Sequence, residues 1–413
     1  MPKELAETQS YFRQQISAEL HGGAVSIVRI LSHLINLAFH LRASDIHIDP
    51  QSDRVRIRLR IDGVLQDEIP LPKNIHAEII SRIKILSSLR TDEHQSAQDG
   101  RFRTELQGLG NIDVRVSITP TYYGENAVMR LLAEGRDEFS LENLGFSESD
   151  RQKIDEAIKK PYGMILATGP TGSGKTTTLY SMIKKLNQPE TSIITIEDPI
   201  EYSIEGITQI SVNARTSLSF ANGLRSILRQ DPDVIMVGEI RDEETAGLAV
   251  NTALTGHLVL STIHTNDAAT TLPRLLDMKI EPYLIASTVN VAVGQRLIRK
   301  ICPYCRVERQ LTDLEYASLS EALPPNTIGE NRTFYQGAGC DECNNSGYKG
   351  RLSINEVMVM DNALRQAILT KASADDLKKI AVQQGMTTML EDGILKAKQG
   401  ITTIEEVLRI LHE

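Results

Sequence analysis

Between Ala24 and Leu41, apolar residues recur at Ile27, Leu31, Leu34, Ile35 and Ala38, a spacing of three or four that predicts an amphipathic helix. The period then drops to two. After the short segment Ala43 to Ile48, residues Val55, Ile57, Leu59 and Ile61 alternate with Arg56, Arg58 and Arg60, so one strand face is apolar and the other is arginine-rich. Asp62-Gly63 predicts a tight turn into a partner strand at Val64 to Ile69. A second helix carries Ile75, Ile79, Ile83 and Leu86 on one face. A later strand alternates Ile112, Val114, Val116 and Ile118 with Arg115 on its polar side. The pattern predicts a small α+β domain over 24–133, preceded by a tail at 1–23.

Polar, glycine-containing sequence at 134–147 reads as a linker. Beyond a helix carrying Ile154 and Ile158, the pattern changes character. Met164 to Thr168, Ser192 to Ile196, Asp233 to Val237 and Leu258 to Ser261 are nearly unbroken apolar runs, each followed by polar or helical sequence. Such strands are buried on both faces, which predicts an α/β domain with a parallel sheet over 148–301. An insertion at 302–343 and a mostly helical region at 344–413 complete the chain. The latter ends in Thr403-Ile404-Glu405-Glu406, a capping box before Val407, Leu408 and Leu411.

Composition narrows the function classes. At 413 residues the chain holds two or three domains. A net charge of −9 supplies no overall field for nucleic acid or anionic lipid, and with no tryptophan and 4% aromatic residues there is no stacking platform for single strands. Neither an export signal nor 18 uninterrupted apolar residues occurs, so the expected compartment is the cytoplasm. All four cysteines fall in two C-x-x-C pairs, which in a reducing compartment points to metal rather than disulfides.

The strongest chemical signal is Gly169-Pro170-Thr171-Gly172-Ser173-Gly174-Lys175-Thr176, which fits G-x-x-x-x-G-K-[ST] between an apolar strand and a helix at Thr177 to Leu186. Its glycines let backbone N–H groups turn inward around phosphate oxygens. Lys175 reaches the β and γ phosphates, and the Thr176 hydroxyl is placed to ligate Mg2+ at a helix N-terminus. The nucleotide-binding set therefore runs from Gly169 to Thr177, and the expected reaction is hydrolysis of a nucleoside triphosphate.

Three further strand ends carry polar chemistry: Glu197-Asp198, Glu239 within Gly238-Glu239-Ile240-Arg241-Asp242, and His264 in Ser261-Thr262-Ile263-His264, with His257 at the start of the last strand. In this combination the chain resembles the secretion-motor ATPases that drive type II secretion and type IV pilus assembly. The resemblance spans roughly 43–351. It implies a RecA-like P-loop domain behind a small PAS-like domain, and a cytoplasmic homohexamer, peripheral at the inner face of the bacterial membrane, that moves an inner-membrane platform protein. It also implies that Glu197 polarises the attacking water, that Glu239 holds Mg2+ through water, and that His264 senses the γ phosphate. Arg115 and Arg130 match arginines of the small domain that approach nucleotide on closure. Arg225, Arg229, Arg241, Arg274 and Arg351 match arginines lining the site or the subunit boundary.

Cys302, Cys305, Cys340 and Cys343 give four thiolates at knuckle spacing, suited to a closed, structural Zn2+ site; free buried thiols are the alternative. The resemblance agrees, because assembly and secretion motors commonly carry this insertion and retraction motors usually lack it. Family members usually begin with an additional domain that docks on a membrane partner, whereas 42 residues precede Ala43, so the chain reads either as a short member or as an excised core. Two other readings stand beside the motor: a DNA-uptake or conjugation ATPase of the same superfamily, and a nucleotide-gated scaffold without turnover.

Overall fold

The computed structural model describes residues 2–21, 25–107, 110–132, 140–213, 216–323, 328–330 and 332–412. The chain divides into two compact units, Met1–Arg136 and Asp137–Glu413.

In the first unit, two helices, α1 (Pro2–His21) and α2 (Ile27–His40), precede strands β1 (Ala43–Pro50), β2 (Arg54–Ile61), β3 (Val64–Asp67) and β4 (Leu71–Pro72). Helix α3 (His76–Leu86) and strands β5 (Gln98–Leu106), β6 (Gly110–Thr121) and β7 (Gly124–Leu132) follow. The sheet runs β3-β2-β1-β7-β6-β5, with β4 also on β2, and each neighbour is antiparallel. Period-two alternation sends Ile57, Leu59, Val114, Val116 and Met129 inward onto the helices and leaves the arginines outward.

The expected tail at 1–23 is instead the helix α1. Phe12 and Ile16, one turn apart, are buried in the same core as α2, and Arg13 pairs with Glu68 at 2.8 Å. Residues 22–24 and 133–139, where the tail was expected to end and the linker to begin, lie outside the described residues. The rest of the expected linker is not loose chain. Leu141 and Phe146 are buried in the second unit's core, and the Leu144 carbonyl accepts from the amide and hydroxyl of Ser353.

The second unit opens with α4 (Glu148–Ile158), β8 (Gly163–Thr168), α5 (Lys175–Leu186), β9 (Ile193–Glu197), β10 (Thr208–Ser211) and α6 (Phe220–Ile227). It continues through β11 (Val234–Val237), α7 (Glu243–Leu254), β12 (Leu258–Ile263), α8 (Ala268–Asp277), α9 (Pro282–Thr288) and β13 (Val289–Ile301). The sheet order is β10-β9-β11-β12-β8-β13-β16, parallel except for β16 (Tyr348–Val359), which lies antiparallel on β13. Separate apolar clusters cover its two faces, as the unbroken apolar strands require.

Two long strands depart from the sequence expectation. The region from 344 was read as mostly helical, yet it begins with β16, and β13 was not anticipated. Both carry fully or almost fully buried polar residues: Gln295 on β13, and Ser353, Asn355 and Glu356 on β16. These polar positions interrupt the apolar signal that marks a two-faced strand. Four helices close the chain: α11 (Asn362–Leu369), α12 (Ala374–Gln383), α13 (Met389–Lys398) and α14 (Ile404–His412). Half of the expected capping box forms. The Thr403 hydroxyl accepts the Glu406 amide at 3.1 Å, while the Glu406 carboxylate turns to Arg299 and Arg409 at 2.7 and 2.8 Å.

Between the cysteine pairs lie β14 (Arg306–Gln310), α10 (Asp313–Ala322) and β15 (Thr333–Gly337), with β14 and β15 forming a two-stranded antiparallel sheet. Leu311, Leu323 and Phe334 of this segment share a core with Ile394, Ala397 and Ile404, so the insertion packs on the C-terminal helices.

Candidate nucleotide site and cysteine cluster

Because β9, β11, β12 and β8 are parallel neighbours, Glu197, Gly238-Glu239, His264 and Thr168 all emerge at one edge of the sheet, the carboxyl edge where ligands collect in such folds. The phosphate loop leaves that edge from Thr168. Gly169 has φ of +143° and Gly174 +91°, and a Cβ at Gly169 would stand 2.3 Å from the Gln295 carbonyl. Only glycine fits a loop pressed this closely onto β13. Lys175 and Thr176 open α5, whose first turn faces the loop. The Lys175 ammonium donates to the carbonyls of Gly169 and Pro170 at 2.8 and 2.9 Å, and burial, opposed by the nearby charge of Glu239, pulls its pKa down to about 8.

Glu239 is the meeting point of this edge. Its Oε2 lies 2.5 Å from Arg241 Nε and 3.3 Å from His264 Nε2, at 9% exposure. A carboxylate so placed, facing a lysine, an arginine and a histidine, can hold a hydrated cation and respond to a phosphate. His257 sits at the other end of β12, about 20 Å of strand away, where Nδ1 meets the Thr252 carbonyl at 3.1 Å. It belongs to the opposite edge of the sheet.

Glu197 is enclosed differently. At 3% exposure it accepts from the Tyr180 hydroxyl on Oε2, and on Oε1 from Thr195 Oγ1 at 2.5 Å and Gln209 Nε2 at 3.2 Å. Tyr180, Gln209 and Thr195 were not anticipated from sequence. A buried aromatic on a helix reads as core, and no local signal pairs it with a strand end. Thr168 and Thr265 are a second unanticipated pair: the Thr265 amide donates to Thr168 Oγ1 at 3.1 Å, tying the root of the phosphate loop to the segment that carries His264.

The predicted arginines are dispersed. Arg241 touches Glu239, while Arg225 pairs with Glu244 on α7 at 2.6 Å and Arg229 donates to the Arg225 carbonyl at 3.0 Å. Arg274 lies on the exposed side of α8, and Arg351 faces Arg299 across β13 and β16. In the first unit, the strand register sets Arg101, Arg115 and Arg130 abreast on β5, β6 and β7, and Arg130 Nε reaches Asp45 at 2.9 Å.

The four cysteine sulfurs lie within 4.8 Å of one another, with Cys302–Cys340 and Cys305–Cys343 at 3.9 Å and Cys340–Cys343 at 3.7 Å. A tetrahedron with Zn–S bonds of about 2.3 Å has edges near 3.8 Å, so the donor set fits that ion and the separations exclude disulfides. Burial pushes the Cys302 and Cys305 thiols up. At Cys343, amides of Cys340 and Gly347 outweigh burial and draw the thiol down to about 7.

Residues 21–409 match the Type II/IV secretion system protein family. The chain belongs to that family. It is 45% identical over 98% of its length to the type IV pilus assembly ATPase PilB of Thermus thermophilus, and 42% identical over 99% to the type II secretion system protein E of Pseudomonas aeruginosa. It spans 45% of the first relative's length and 79% of the second's. The solved structure of the pilus retraction motor PilT with bound ADP superposes with a TM-score of 0.62 at 28% identity, covering 92% of this chain and 96% of that one. The fold is thus that of a secretion ATPase, and the family uses nucleotide and Mg2+. Among the described residues no helix is long and apolar enough to cross a membrane.

Proposed function

We propose that the chain is an ATP-hydrolysing motor that works as a homohexamer and powers assembly of a type IV pilus or a type II secretion pseudopilus. Its place is then the cytoplasmic face of the inner membrane, where it acts on a platform protein and is held peripherally through partners. The observation that carries the reading is the carboxyl edge of the second sheet, where the phosphate loop, Glu239, His264 and Arg241 converge, in a chain of the secretion family.

In this reading Lys175 neutralises charge on the β and γ phosphates, and Thr176 with Glu239 holds hydrated Mg2+, which supplies charge neutralisation for phosphoryl transfer. Glu197 orients and polarises the attacking water, and His264 reports the γ phosphate to Glu239. Arg115 and Arg130 stabilise the transferring phosphoryl group once the small domain closes, which makes closure the working stroke. The cysteine cluster holds structural zinc.

Phosphate release from Mg2+-ATP tests the enzymatic half. Activity should depend on assembly, and mixing wild type with an inactive variant should depress the rate by more than dilution. A linear dilution line together with full activity in a monomeric fraction would overturn the hexameric motor. A deletion in the native host, scored for surface filaments, secreted proteins and transformation, identifies the machine.

A further inference from the structure

The Glu197 carboxylate is held by residues from three elements. Tyr180, 0% exposed, lies on α5, the helix that begins with Lys175, and its hydroxyl donates to Oε2. Thr195, two residues back on β9, donates to Oε1, as does Gln209, the register partner of Thr195 on β10. The Gln209 amide is itself oriented. Its oxygen accepts the Ile204 amide at 2.8 Å, and its nitrogen also reaches the Tyr202 carbonyl at 3.2 Å and the Tyr180 hydroxyl oxygen at 3.4 Å. Tyr202 packs edge-on against Tyr180 with ring centroids 4.6 Å apart, which locks the phenol in place.

A carboxylate offers about four acceptor sites. Among the described residues three are taken, two on Oε1 and one on Oε2, so the site left for a water is on Oε2, the oxygen that Tyr180 shares. We propose that Tyr180 is a positioning residue for hydrolysis: its hydroxyl fixes the rotamer of Glu197 so that the remaining acceptor site of Oε2 meets the attacking water, with Gln209 and Thr195 clamping the other oxygen. Burial and then the adjacent Glu197 charge push the Tyr180 phenol well above its ordinary range, so it stays a donor at every working pH. Because Tyr180 and Lys175 share one helix, the water-orienting carboxylate and the phosphate-binding lysine are set on the same rigid body. The inference rests on the catalytic assignment of Glu197 made above.

A double-mutant cycle in the full chain tests it. Tyr180→Phe removes one oxygen and keeps the ring. A misplaced reacting group costs on the order of 10² in rate, so kcat should fall by about that factor while KM for ATP stays within about threefold. In the residual single-turnover hydrolysis of a Glu197→Gln background, followed with enzyme in excess, the same change should cost less than about threefold, because residues acting through one group are non-additive. Equal losses in both backgrounds, or an unchanged kcat, would overturn the positioning role. Normal turnover in Glu197→Gln alone would instead remove Glu197 from the mechanism, a different failure that the single mutant identifies. Should Tyr180→Phe fail to fold, Gln209→Leu replaces it in the cycle, with the same non-additivity expected and additivity counting against the proposal.

Discussion

The two sheets present chemistry in opposite ways. In the antiparallel sheet one face is packed on the unit's own helices, so polar side chains line the other along the strands: Arg101, Arg115 and Arg130 stand abreast on β5, β6 and β7. In the second sheet both faces are covered, and mid-strand positions such as Ile165, Ile194, Ile235 and Leu260 are core. The polar residues gathered at its carboxyl edge stand at strand ends, at Thr168, Glu197, Glu239 and His264. A one-faced sheet acts through its surface and a two-faced sheet through its rim.

Loss at the rim should be the more severe. Lys175→Ala is expected to abolish turnover, and Glu197→Gln to keep nucleotide binding while losing hydrolysis; a fluorescent ATP analogue and a phosphate-release assay separate the two. Near-normal turnover in Glu197→Gln would move the water-orienting role to Glu239. Loss on the face should act on rate alone. Arg115→Ala should lower kcat by about 10³, the lower range for an arginine on a transferring phosphoryl group, with ATP affinity nearly unchanged. If affinity falls as far as kcat, Arg115 is a ground-state contact and the face behaves like the rim.

The cysteine cluster lies off both sheets, so its loss should leave the contrast intact. One zinc per chain is expected from metal analysis of protein purified without chelator. Structural zinc sites carry about 10–16 kcal/mol of folding energy in small domains, so Cys343→Ser should unfold the insertion. Because Leu311 and Phe334 share a core with Ile394 and Ala397, protease sensitivity should spread from 302–343 into α13.

Lys175 supplies a pH test of the rim. With its pKa near 8 in the free protein, the lysine is losing its proton above that pH, and ATP affinity should weaken as pH rises through 8. Phosphate restores the charged form, so titration calorimetry in two buffers near pH 8.5 should show net proton uptake on binding. The sign for stability is the reverse. Between about 8 and the ordinary lysine value near 10.4 the unfolded chain binds the extra proton, so this group adds stability to the unliganded protein as pH rises.

The smallest effect is expected away from both sites. Arg299 and Arg409, outweighing burial, hold the Glu406 carboxyl down to about 2. Its contribution is present above the ordinary glutamate range and is lost as pH falls toward 2. Glu406→Gln should cost about 1–3 kcal/mol in denaturant unfolding and leave kcat unchanged, since the pair fastens α14 to β13.

Features written in contiguous residues were legible from sequence alone: the alternation of Val55 to Ile61, the loop from Gly169 to Thr176 and the paired cysteines. Each is a local spacing whose geometry follows from backbone period or turn chemistry. The acidic strand ends were legible as candidates because an apolar run ending in Glu197 or Glu239 says where the chain leaves the core. The burial of Phe12 and Ile16 in α1 was not, and nor were the long strands β13 and β16, where a buried Gln295, Asn355 or Glu356 breaks the apolar signal and meets its partner only across the fold: Gln295 Oε1 accepts from Thr178, Asn355 Nδ2 donates to the Gly145 carbonyl, and Glu356 accepts from the Ala268 amide. Sequence determined which chemical groups this protein owns. Tertiary structure alone decided which of them meet across elements: that Glu239 faces His264 while Glu197 is gripped by Tyr180 and Gln209 depends on strand order, and strand order is set by packing whole sheets, not by the spacing of neighbouring residues.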